Sequence, residues 1–441
     1  MLNQLRLLRD VSALILIGCT WRLWFAASSF PAVPFFEFLT PVPRTVDAIL
    51  SGILVAVLAF DACLAGCQCL RGDTPASFAR IEQACDLLFV AMASGLILLN
   101  QHCLQPWMYH FLILTPLLWW PSYRPDVRVE PQHSQDDSLA TGDSSAISRQ
   151  AIIGLTASIY IWSAWSKLDA SFLQSHGPKF VGAICGAVGF TTRFWSDQTW
   201  WLAALTLPAG ELIVGVALLF PKCRRWAFSA SLVMHLLLIL AVGPLGLDHR
   251  IGVLLWNVFF IVQNLLLWRS ERKFILEYSP PYRVRADWFR QRLLPGLVLI
   301  FSLSFPVLRS AGWCDTWPAW AVYASSPARV LVQVRDDSID QLPESIREFV
   351  ERRTINDGWS WLRIDIWSLT ATSAPIYPED RFQLAMARSI SRELSTRDAV
   401  RVIHEEEAER WSGMRARDEF TGEAELTEAA SRFSLNSLPR K

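Results

Sequence analysis

Nine stretches of mainly apolar residues, each close to the length needed to cross a bilayer as a helix, constrain this chain more than any other feature. A hydrocarbon core takes roughly 20 apolar residues in helical form. The stretches lie at about 11–30, 47–69, 83–101, 106–121, 150–167, 199–220, 227–244, 251–268 and 293–311. Inside lipid, a helix satisfies its own backbone hydrogen bonds, which an open strand or loop cannot do. Composition agrees: 52% of the 441 residues are hydrophobic and 19% are charged, against about 25% charged in an ordinary soluble protein. The 21 Trp and 25 Phe suit membrane–water interfaces. The expected fold is an all-α polytopic membrane bundle of about nine transmembrane helices with a small C-terminal α+β extramembrane domain. The 41 basic and 41 acidic residues cancel, so no overall field favours nucleic acid. The lipid bilayer is the expected partner.

The spacing divides the chain further. Residues 1–121 hold four spans, and 150–311 hold five. Between them, PSYRPDVRVEPQHSQDDSLATGDSSAIS reads as a flexible cytoplasmic loop over 122–149. A tenth, weak candidate covers 178–195 and is short and glycine-rich, with Lys179 and Arg193 near its ends. Basic residues near short loops favour the cytoplasmic side. Arg6 and Arg9 place the N-terminus there. Arg71, Arg80, Arg124, Arg128 and Arg149 then fall on that side, and Lys222, Arg224, Arg225 and the run from Arg269 to Arg292 join them only if 178–195 does not cross. That segment is therefore expected to be re-entrant or interfacial. The first span, with Trp21, Arg22 and Trp24, reads as an uncleaved anchor.

Beyond residue 312 no spanning run occurs, and Arg, Asp and Glu are dense. RVLVQV (329–334), WLRIDIWSL (361–369) and DAVRVIHEEE (398–407) read as strands, while SIDQLPESIREFVERR and EDRFQLAMARSISREL read as amphipathic helices. This predicts an extracytoplasmic α+β domain over 312–411 and a flexible tail over 412–441. The nine cysteines are an odd set lying mostly in apolar runs. Cys63, Cys67 and Cys69 form C-x3-C-x-C, which reads as packing at one helix end rather than a metal site.

Ionisable residues within apolar runs are costly and mark sites or pairs. They are Arg22, Asp61, Asp86, Lys167, Asp169, Glu211 and His235. Arg22 is expected to pair with Asp61 or Asp86, and His102 and His110 to sit near the outer edge. Only five lysines occur, which draws attention to Lys167. In a helical hairpin, Glu211 and His235 could face a shared interior with Lys167, opening outward, with 168–198 as part of the wall. A desolvated lysine can lose its proton and act as base or nucleophile. Alternatively, Lys167 pairs with Asp169 or Glu211 and anchors a helix end. No H-E-x-x-H, G-x-S-x-G or phosphate loop is present.

The segment Y-x-W-S-A-x-S-K-L-D-A-x-F, followed by G-E-L-I-V-G-x-A-L-L-F and a His-bearing span, resembles the DoxX/MauE group of redox-associated bacterial membrane proteins. It is also similar to the HTTM family, relatives of vitamin K-dependent gamma-carboxylase. The likeness covers roughly 150–270. LNQHCLQPWMYHFLIL is similar to a further HTTM segment, whereas the family's A-G-x-x-K-L stands here as S-A-W-S-K-L. The DoxX/MauE resemblance implies a cytoplasmic-membrane protein that assists maturation or electron handling of exported proteins. The HTTM resemblance implies a quinone-dependent enzyme with Lys167 as base and His235 at the later histidine. A third reading is a non-catalytic scaffold whose outer domain binds a partner.

Overall fold

A computed structural model describes residues 1–71, 76–119, 136–277, 288–352, 357–396 and 398–440. The membrane part begins with α1 (Leu2–Cys19), the short α2 (Trp21–Trp24), α3 (Thr45–Arg71), α4 (Ala76–Leu99), α5 (Pro106–Trp119) and α6 (Asp136–Trp165). It continues with α7 (Ala170–Gln174), α8 (His176–Ala187), α9 (Asp197–Leu219), α10 (Arg224–Val242), α11 (Ile251–Glu277) and α12 (Trp288–Ser304). Among the described residues, six helical segments are long and apolar enough to cross a membrane: Thr45–Leu70, Phe78–Leu99, Asp197–Leu219, Arg224–Val242, Ile251–Glu271 and Leu293–Ala311.

The other three expected spans are helical but of different character. Helix α1 carries Arg6, Arg9 and Asp10 on buried positions. Helix α5 has 14 residues, of which ten are buried. Helix α6 buries an unbroken run from Ala151 to Tyr160. A helix wrapped by protein needs no continuous apolar face toward lipid. The first helix starts at Leu2 and ends at Cys19, so it lies earlier than the expected 11–30.

The loops at 25–44, 100–105, 166–196 and 243–250 each contact the C-terminal part, through Phe35 O with Asn436 N, His102 with Pro375 O, Ala170 N with Arg410 O, and His249 with Tyr323. Helix α8 has 12 residues, about 18 Å at 1.5 Å per residue, too short to cross. Phe180 meets Tyr323 edge-on at 5.2 Å, which holds α8 at the domain end. The weak segment 178–195 therefore holds part of one 12-residue helix rather than a helix of spanning length. Part of the expected loop, 122–135, lies outside the described residues, but 136–149 is the first part of α6 rather than loop.

The C-terminal part contains β1 (Arg329–Arg335), α13 (Glu344–Arg347), β2 (Val350–Glu351), β3 (Trp359–Leu362), α14 (Ile364–Thr372), α15 (Asp380–Glu393), β4 (Val400–Glu405), β5 (Arg417–Thr421) and α16 (Gly422–Ala430). The strands form one antiparallel sheet in the order β2-β3-β1-β4-β5. Its centre is β1, with Val332 opposite Leu362 on one side and Val402 on the other.

Two expected elements differ. The alternation in WLRIDIWSL yields a strand only to Leu362; Ile364, Trp367, Ser368 and Thr372 then bury one face at helical spacing. The expected helix over 338–353 is broken by Pro343 into a 3-10 segment, the single turn α13 and β2. The boundary at 412 also fails as a structural division. Strand β5 completes the sheet, α16 packs on α15, and the last residues return to the membrane part. There Arg440 places Nη1 2.8 Å from both oxygens of Asp47. The Asn436 amide donates to Pro34 O at 3.0 Å.

The two parts are joined by polar and aromatic contacts. His102 Nε2 donates to Pro375 O at 2.7 Å. Arg381 Nε donates to Gln101 Oε1 at 3.0 Å. Phe30 packs edge-on against Trp367 at 4.7 Å. The Ala170 N–H reaches Arg410 O at 2.8 Å. His102 is thus buried in this junction, and burial pulls it down to about 4.

Candidate functional site

Tyr160, Ser163 and Lys167 recur at three- and four-residue spacing along α6 and the turn after it, so they share one face. That face meets α9 where Gly215 sits. A Cβ there would lie 3.0 Å from Tyr160 Cβ and 3.1 Å from Ile161 N. The missing side chain lets the two backbones close. One turn before it, Glu211 Oε2 accepts from Lys167 Nζ at 2.8 Å, and Ser163 Oγ accepts from the same ammonium at 2.7 Å. Both charged side chains are 12% exposed. Asp169 does not join them: its Oδ1 caps α7 by accepting from Phe172 N at 2.7 Å.

His235 lies deeper, on α10. Its Nε2 is 2.7 Å from Tyr160 OH, and its Nδ1 is 2.9 Å from Asn257 Oδ1 on α11. The Asn257 amide donates to Val253 O at 2.9 Å, which fixes its oxygen toward the ring. His235 therefore carries its proton on Nδ1 and accepts from Tyr160 through Nε2. The Tyr160 oxygen accepts in turn from Asn264 Nδ2 at 2.8 Å, and Asn264 also reaches Ser231 Oγ at 3.0 Å. The result is a one-way chain, Asn264 to Tyr160 to His235 to Asn257, about two helical turns, or roughly 10 Å, from Lys167.

Phe260 lies flat against His235, with centroids 5.0 Å apart and planes 4° apart. On its other face lies His110 of α5, at 5.2 Å and 13°. His110 is fully buried, and neither ring nitrogen has a hydrogen-bond partner among the described residues. Trp320 closes the same space from the domain side, edge-on to His110 at 6.1 Å, and its indole Nε1 is also buried without a partner. Trp320 has φ 60°, and Tyr323 has φ 62°. Left-handed backbone at bulky residues costs of order 1–3 kcal/mol and gathers at functional sites. The turn holds Trp320 in the mouth of the helix bundle.

The sequence-predicted trio is thus arranged in two linked groups. Lys167 and Glu211 form one pair, and His235 joins a separate chain through Tyr160. Two small pockets, one beside His102 and Asp47 and one beside His404 and Phe420, lie elsewhere, and neither is lined by these three residues. Sequence reasoning missed Tyr160, Asn257, Asn264 and Trp320. A signal was present in α11, where polar Asn257 and Asn264 recur seven residues apart inside an apolar run. His110, in the second turn of α5, is fully buried against Phe260 and Trp320. Arg22 is exposed and lies near the Trp21 ring; the partners of Asp61 and Asp86 are Arg9 and Arg6 instead. Cys63, Cys67 and Cys69 are exposed on α3 rather than packed inside.

No family model, curated protein or solved structure matches the chain.

Proposed function

We propose that this is a redox-associated membrane protein of DoxX/MauE type that handles protons for a lipid-soluble carbonyl compound of the quinone class. The observation carrying this reading is the pair of unpartnered buried donors, His110 and Trp320 Nε1, beside the Tyr160–His235 chain. A buried donor without an acceptor costs about 1–3 kcal/mol, and a carbonyl oxygen would relieve it. Flat aromatic walls, Phe259 and Phe260, stand next to these donors, as a planar ring requires. A quinone exchanges electrons and protons together. On this chain the proton work falls to Tyr160, which can pass its hydroxyl proton to His235 Nε2, while Lys167 and Glu211 stand as a charge-balanced pair at the same helix face. Exported proteins on the domain side are the proposed beneficiaries, with the bundle in the bacterial cytoplasmic membrane, its N-terminus cytoplasmic and residues 312–441 outside.

The HTTM-type alternative gives Lys167 the role of base. It is distinguished by Lys167→Arg, which keeps the charge but forbids proton loss: turnover disappears under that alternative and persists under the reading above. A scaffold role is favoured by one fact, the extensive docking of the C-terminal part. The direct test is organic extraction of the purified full chain from its native membrane. A stoichiometric quinone supports the proposal; its absence, with native lipids retained, removes it.

A further inference from the structure

A second buried polar centre lies between α1, α3, α4 and α5, remote from the domain. Arg9 donates to Asp10 Oδ1 at 2.8 Å, Asp61 Oδ2 at 2.9 Å, Asp86 Oδ1 at 2.7 Å and Thr115 Oγ1 at 2.9 Å. Arg6 lies 2.6 Å from Asp86 Oδ2 and 2.7 Å from Glu82 Oε2. Gln68 donates to the other Glu82 oxygen. The six charged residues are between 0% and 4% exposed.

The charges do not balance. Four carboxylates face two guanidiniums, leaving two uncompensated negative charges if every group is ionised. Among the described residues, Arg6 and Arg9 are the basic side chains paired with these carboxylates. Thr115 of α5 and the Cys85 thiol of α4 are uncharged. Glu271 of α11 is taken by Arg149 of α6 and Arg224 of α10. An uncompensated buried charge costs several kcal/mol even after relaxation.

The orphan atoms locate the remedy. Asp10 Oδ2 and Asp61 Oδ1 are buried with no hydrogen-bond partner, and the two carboxyl groups are held side by side on a single nitrogen, Arg9 Nη2, at 2.7 Å and 2.9 Å. Two ionised carboxylates cannot bond, because neither has a donor. One proton between them creates a short charge-assisted O–H···O bond, satisfies both orphans and removes one negative charge. Among the described residues no group of three or more His, Cys, Asp or Glu is placed to hold a metal ion.

We propose that Asp10 and Asp61 form a proton-binding site, with a single proton shared between the two carboxyl groups and clamped by Arg9. Asp10 belongs to α1 and Asp61 to α3, so the proton ties these helices together. Its loss leaves two facing like charges in the interior, and the α1–α3 contact is therefore proton-dependent.

Infrared spectroscopy of the full chain in nanodiscs tests this. At neutral pH the wild type should show a protonated-carboxyl carbonyl band that shifts in D2O. Aspartate labelled with carbon-13 at the side-chain carboxyl should move that band, which separates it from any glutamic acid. Asp10→Asn and Asp61→Asn should each fold and each lose the band, because an amide N–H replaces the shared O–H. No band in the wild type overturns the proposal, as does a band insensitive to aspartate labelling. These two results need no variant. Stabilisation by added sodium or potassium in place of the band would assign the site to a cation and equally overturn it.

Discussion

Lys167 and Glu211 show what one residue can and cannot reveal. The scarcity of lysine and its position at a span end mark Lys167 in the sequence, and the structure pairs it with Glu211 at 2.8 Å. Removing one partner of a largely buried pair strands the other, at a cost of about 3–5 kcal/mol. Lys167→Met should lower stability by about that much, somewhat less for the residual exposure, and Lys167→Met/Glu211→Gln should recover much of it. Chemical denaturation of the two variants in matched detergent reads the difference. Tyr160 and Asn264 were not legible, because tyrosine and asparagine carry no motif and their meaning arises only where three helices meet. Arg6 and Arg9 look like flanking charges in the sequence; only the position of α3 and α4 turns them inward.

Glu379 sets a pH dependence at the same scale. Burial and the nearby Asp315 push its carboxyl up to about 7 from an ordinary 4.5. It accepts from Thr316 N at 2.6 Å and precedes α15, beside Arg381, which bonds both Asp315 and Gln101. A carboxyl raised on folding holds its proton more tightly in the native state. Its contribution is complete below about 4.5 and falls away as pH rises through about 7. Thermal melting of the full chain should show stability declining over that window. Glu379→Gln should flatten this part of the profile; an unchanged slope would assign it elsewhere, for instance to His404, which Asp380 also holds above its ordinary value.

At the scale of elements, helix–helix closeness depends on small residues that hydropathy does not weigh. Gly215 admits the α6 backbone, and any Cβ there meets Tyr160 and Ile161 at 2.9–3.1 Å. Gly215→Val should cost about 1–3 kcal/mol through overpacking and should separate Lys167 from Glu211. Coupling between those two, measured by a double-mutant cycle, should vanish in the Gly215→Val background; retained coupling would show that α9 does not move. Long apolar helices were legible because their period and length are set by the bilayer. The strand in WLRIDIWSL was legible only to Leu362, because Ile364 and Trp367 serve alternation and helical spacing equally well.

For the whole molecule, chain order hid the closing contact. Nothing in SRFSLNSLPRK suggests that its arginine returns some 390 residues to Asp47, yet Arg440 is 6% exposed and Asp47 4%. Arg440→Ala should destabilise the full chain by about 3–5 kcal/mol and open residues 431–441 to protease. Equal digestion of wild type and variant would deny the clasp. Under the proposed function, a quinone-class molecule sits in the bundle beneath Trp320, against His110 and the Tyr160–His235 chain. Equilibrium dialysis of a short-chain quinone against the full chain in nanodiscs measures it. Saturable binding at one site per chain, weakened at least tenfold by His110→Phe with the fold intact, is the expected result. Partition into the nanodisc lipid alone, identical for wild type and His110→Phe, would contradict it.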